Sequence, residues 1–227
     1  MVQWKWPDSH GEQAYVVMLG GLHIEMALWS VLGDLLDGSG WTVALTEADV
    51  ASSGVAVSFL KASHLTRTRH AHQVTALTLH KLQRDAFSQC VDEASFSTWE
   101  EARKRIRPTF LFWDVILQLE TLVLLVIRAH RQRIFNLYVE AMEELIPLFF
   151  ALDHVNYARW ASIHIRDLKS LPDNIAKEFQ NEGHWILSKT SNRFSAIPFN
   201  QAHKQENKIA KSAGGAVGLT ENSVAFR

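Results

Sequence analysis

The chain has 227 residues, with 23 Lys plus Arg against 24 Asp plus Glu and a formal net charge of −1. That balance excludes a whole-chain basic footprint for nucleic acid, so any DNA contact must come from a local patch. A hydrophobic content of 47% excludes general disorder, and a single cysteine, Cys90, excludes an internal disulfide framework.

The opening MVQWKWPDSHGEQ lacks a secretory apolar core. The longest uninterrupted apolar run, residues 122–127, lies between Glu120 and Arg128 and is too short to span a bilayer. An intracellular protein, in nucleus or cytoplasm and without a membrane partner, is expected. The abrupt ending at VAFR reads as a truncation.

In chain order, residues 1–14 read as a polar and aromatic loop. Residues 15–19 (YVVML) read as a buried strand closed by Gly20 and Gly21. A helix is predicted over 23–36, with Ile24, Leu28, Val31, Leu32 and Leu35 on one face. The glycines of GSG at 38–40 end it. This strand, turn and helix form one α/β unit.

From 41 to about 179 the period is helical. Short helices are predicted over 42–51 and 54–63, a long one over 66–89, a connector over 88–97, and another helix from Thr98. Pro108 opens the most apolar helix, with Phe112, Val115, Ile116, Leu119, Leu122, Val123 and Val126 at helical spacing. Residues 136–146 are amphipathic, and Pro147 either breaks that helix or begins the next, over 148–168. Asp173 caps a last short helix before Gly183. Alternation then predicts strands over 184–190 and 193–198, followed by a helix over 200–211 that ends at Gly214 and Gly215.

Several constellations are candidates for chemistry. His23 sits at a strand-to-helix turn, where it either binds a metal or phosphate or simply caps the helix. Neither glycine-rich phosphate-loop pattern is present. SHLTRTRHAH gathers His64, Arg67, Arg69, His70 and His72 into a basic patch that either contacts phosphates or forms a solvated helix face. Asp153, His154, His164 and Asp167 lack the His spacing of a zinc site, which favours hydrogen bonds between helices. Cys90 has no partner at ligand spacing. Asn200, His203, Lys204 and Asn207 share one polar face of the last helix.

The segments GGLHIEMALW, SGWTVALTEADVASSGVAVSFLKASHLTRTRHAHQVT, LFFALDHVNYARWASIHIRDL and FSAIPFNQAHKQENKIAKSAGGAVGLTEN occur here in this order. Together they resemble a family of animal proteins derived from mobile elements and similar to transposases with a ribonuclease-H-like core. The resemblance covers essentially the whole chain. It implies a mainly α protein with a small α/β part, in which residues 1–40 and 184–227 form a partial core and residues 41–183 form a helical insertion.

Such cores use three carboxylates to hold two divalent ions for phosphodiester cleavage. In the final-helix motif, roughly IDQAHEQ, the two acids of relatives correspond here to Asn200 and Lys204. The upstream aspartate would precede Met1. Glu206 lies roughly 200° around the helix from position 204 and cannot substitute for it. The ancestral magnesium or manganese site is therefore expected to be lost, with no cofactor in its place.

A transposase-derived fragment without nuclease activity is the leading expectation. The alternative is a helical module that binds DNA or a protein through Arg67, Arg69, His70 and His72 and the aromatics Trp4 and Trp6. Active cleavage through His23, Glu25 and Glu206 is the weakest reading.

Overall fold

The computed structural model describes residues 16–90, 95–188 and 190–211. The N-terminal loop, Tyr15, Trp4, Trp6, part of the 88–97 connector and the glycines at 214–215 lie outside them.

Helices dominate in chain order: α1 (Gly21–Leu36), α2 (Trp41–Glu47), α3 (Ser53–Phe59), α4 (Leu65–Ser88), α5 (Phe96–Ile106), α6 (Pro108–Gln132), α7 (Phe135–Ala151), α8 (Val155–Lys169) and α9 (Asp173–Asn181). Two short strands follow, β1 (Leu187–Ser188) and β2 (Ala196–Ile197), and then α10 (Phe199–Ala210). The chain is therefore mainly α.

The hub is α6, which packs against α1, α4, α5, α7 and β2. Its start follows from Pro108 in the first turn, where a missing N–H costs nothing. Its end is Arg133 in the left-handed region at φ 61°. Val123 and Val126 of α6 meet Ile24, Leu28 and Leu32 of α1 and Met142, Leu145 and Phe149 of α7 in the main core. A second cluster joins Leu36, Trp41, Leu45, Phe59 and Ile116.

By length and composition α6 could cross a membrane, at 25 residues and mean hydropathy 2.1 in its most apolar window. The six-residue run in the sequence understates this, because Glu120 interrupts the run without interrupting the helix. In the structure Glu120 is buried among neighbouring helices.

Three expectations are corrected. Residues 16–19 form no strand among the described residues. Met18 and Leu19 pack onto the core while Val16 and Val17 are exposed, so this apolar run is covered by helices on one side only. A run this short fits either arrangement, and periodicity does not separate them.

Pro147 lies inside α7, and the break comes at 152–154, where Asp153 adopts φ 55°. Proline forfeits one hydrogen bond there, but burial of Leu145 and Phe149 on either side holds the helix together.

The strands expected over 184–190 and 193–198 shrink to an antiparallel pair, Leu187 opposite Ile197 and Ser188 opposite Ala196. No strand from the N-terminal end joins them among the described residues.

Candidate functional site

Residues 18–21 and 198–200 meet although, among the described residues, they share no sheet. A cleft of about 130 Å³ opens between Leu19, Gly20 and Gly21 at the start of α1, His130 of α6, Trp185 before β1, and Asn200 of α10.

Both glycines are required by close approach, since neither takes a positive φ. A Cβ on Gly20 would fall 2.4 Å from Asn200 Nδ2. One on Gly21 would fall 2.8 Å from Pro198 Cγ and 3.0 Å from His130 Nε2. The Gly-Gly pair serves interhelical contact more than turning.

Asn200 fills its position with both ends of its amide. Its Oδ1 accepts from the Leu22 backbone N–H at 3.1 Å, which satisfies one of the first-turn donors of α1. Its Nδ2 donates to His23 Nδ1 at 3.2 Å. The Leu22 N–H is an unambiguous donor, so it fixes which amide atom faces the ring. His23 is exposed, and its carbonyl accepts from the Tyr157 hydroxyl at 3.2 Å. The structure thus brings His23 and Asn200, two of the candidate residues, into contact.

The other candidates scatter. Glu25 is buried at 3% exposure, where Arg69 clamps it through Nε at 2.8 Å and a terminal nitrogen at 2.9 Å, and Trp29 Nε1 donates at 3.2 Å. Its place one turn beyond Gly21 turns it inward, so it is a structural anion and does not face the cleft mouth. Arg69 is thereby withdrawn from the basic patch.

His72 is withdrawn as well, being fully buried and stacked between Trp29 and Trp41 at centroid distances of 4.2 and 4.8 Å. Its Nδ1 lies 2.7 Å from Glu120 Oε1. Burial pushes the Glu120 carboxyl above its usual range, and the His72 hydrogen bond pulls it partly back. A helix has an inner face, and the five residues of the patch, spread over positions 64 to 72, cannot all share the outer one. Arg67, His70 and His64 remain exposed.

His203, Lys204 and Glu206 are exposed along α10. His154 reaches Asp34 Oδ2 of α1 at 2.9 Å, and His164 Nε2 reaches the Tyr138 hydroxyl at 3.0 Å, the interhelical bonding expected of them. Asp153 and Asp167 are exposed. Cys90 Sγ contacts the Ala86 carbonyl at 3.5 Å.

Sequence reading missed His130, Tyr138 and Trp185, which wall the cleft. His130 is 4% exposed, and none of the hydrogen bonds among the described residues reaches its ring nitrogens. Burial, then the cations of Arg131 and Arg69, lower its pKa to about 3, so the ring is neutral. Trp185 Nε1 is also buried without a partner. The signal was available: a histidine at the polar end of an otherwise apolar helix, on the stripe of Val123, Val126 and Ile127.

A divalent-cation centre does not fit these residues. The one acceptor oxygen of Asn200 is occupied by Leu22, the atom it turns toward His23 is a donor, and no carboxylate lines the cleft. Among the described residues no cluster of three or more His, Cys, Asp or Glu has metal-binding geometry.

No curated protein and no solved structure matches the chain. A family model does match, over residues 61–226, which takes in α4 through α10. With almost three quarters of its length inside that match, the chain belongs to the family described as a domain of unknown function, DUF8702.

Proposed function

We propose that this protein is a transposase-derived chain that has kept the framework of a phosphodiester-cleaving core and lost its cleavage chemistry. The finer fold reading, a ribonuclease-H-like core interrupted by helices, is part of the proposal. It is supported by the contact between α1 and α10 across the helical block. The missing strand partner for residues 16–19 weighs against a complete sheet.

The observation that carries the reading is the amide at Asn200. A catalytic acid at this place would offer a free oxygen to a cation, whereas Asn200 spends its oxygen on the Leu22 N–H and presents an NH2 to His23. One turn on, at the other position where relatives carry an acid, Lys204 adds positive charge. Two-metal cleavage needs ligands that neutralise the ions and position them on either side of the reacting phosphate. An amide and an ammonium do neither.

The test is a nicking assay on supercoiled DNA with magnesium or manganese. The chain should leave the plasmid intact. Metal-dependent nicking that disappears in His23→Ala would contradict the proposal. An intracellular location, nuclear or cytoplasmic, accompanies this reading. Fractionation of tagged protein checks it.

A further inference from the structure

We propose that the cleft at the start of α1 binds a phosphate-class oxyanion. The proposal stands on the local geometry and holds whatever the ancestry of the chain.

The start of a 16-residue helix supplies backbone donors and the positive end of the helix dipole. Here Leu22 N–H is taken by Asn200, and the N–H groups of His23 and Ile24 point back to the Gly20 carbonyl at 2.9 and 3.0 Å. The Gly21 N–H has no acceptor among the described residues.

The second observation is His130. Its ring is buried, unpartnered and part of the cleft wall, with its Cε1–Nε2 edge against Gly21. A neutral imidazole carries one N–H to donate, and Trp185 Nε1 is a further unmet donor in the same wall.

Charge agrees with the donors. Arg69, which is paired with Glu25, and the half-buried Arg131 are both close enough to act electrostatically on His130. A cleft of about 130 Å³ has room for about four waters or one tetrahedral oxyanion. The ligand is thus a single phosphate group, either free or at the end of a nucleic-acid strand.

The test uses the full chain and inorganic phosphate, followed by histidine-resolved NMR and thermal melting at constant ionic strength, with chloride as the control anion. Phosphate should shift the His130 ring signals saturably and raise the melting temperature. Arg131→Gln should weaken the effect roughly tenfold, the loss of about one charge-assisted interaction. Asn200→Asp, which places a negative charge at the mouth, should weaken it too.

A second titration with 5′-phosphorylated and 5′-hydroxyl oligonucleotides distinguishes the sources. Tighter binding of the phosphorylated strand assigns the site to strand ends, and equal binding assigns it to free phosphate. Absence of any His130 shift with phosphate in the folded wild-type chain would overturn the proposal, as would a response unchanged in Arg131→Gln. DNA nicking bears on the cleavage reading alone, so the two proposals fail separately.

Discussion

Two buried histidines that both touch α1, one at Gly21 and one at Trp29, differ in their surroundings. His72 is sealed between two tryptophans and bonded to Glu120 through Nδ1, while its Nε2 is buried with no partner among the described residues. His130 is equally buried but faces a cleft, with a glycine beside it and no bonded acid. A sealed group bonded to an acid fixes how α4 sits on α6. A histidine bonded to no acid and beside an opening is the one within reach of a ligand in the proposed site. Burial alone, which both share, separates neither role.

The largest expected effect comes from acid. Burial lowers the pKa of His130 to about 3 and of His164 to about 4, both from 6.5. For a base with a depressed folded pKa, the unfolded chain takes up protons first. Stability is therefore present above about pH 6.5 and is lost as pH falls toward 4, by up to about 1.4 kcal/mol per pH unit for each ring. Urea unfolding across that window should show the decline, and His130→Gln should remove about half its slope. The sign at Glu120 is opposite. Its raised pKa makes its contribution greatest below 4.5 and weaker as pH rises, so acid loosens the cleft histidine before the sealed pair.

The sealed pair is sharpened by Glu120→Ala, which strands His72 in the core. A cost of about 3–5 kcal/mol is expected for removing one partner of a buried pair, read by chemical denaturation. A loss under about 1 kcal/mol would mean the tryptophans, not the acid, hold His72.

Gly33→Ala addresses the packing that both sites depend on. An added Cβ would fall 1.9 Å from the Leu60 carbonyl oxygen. α1 and the end of α3 must part, at about 1–3 kcal/mol, despite the gain in helix propensity. The melting temperature should fall by several degrees.

The smallest effect is Arg67→Ala, on the exposed remainder of the basic patch, at within about 0.5 kcal/mol. Salt-dependent DNA binding lost in that variant would revive the patch as an interface.

How much of this was legible varied with the signal. The helical period of Ile24, Leu28 and Leu32, and of Val123 and Val126, placed α1 and α6 correctly, because amphipathic spacing reports burial directly. Pro108 marked a helix start, while Pro147 did not mark an end, since flanking burial outweighed the lost hydrogen bond. The strands were overcalled because an apolar run of five residues is equally well covered by helices.

At the candidate site, Asn200 was named from its motif position and His23 from its place beside the glycine pair, and the structure puts the two in contact. The inward turn of Glu25, Arg69 and His72 is invisible in a charge pattern, which records residue type and not helix face. His130 was hidden inside a run that read as core.

The account rests on the cleft being neutral to positive, and manganese tests that most directly. Paramagnetic broadening of histidine NMR signals should leave His23 and His130 untouched in the wild-type chain. Broadening of His23 should appear when Asn200→Asp and Lys204→Glu are combined. Selective broadening of His23 or His130 by manganese in the wild-type chain would contradict it.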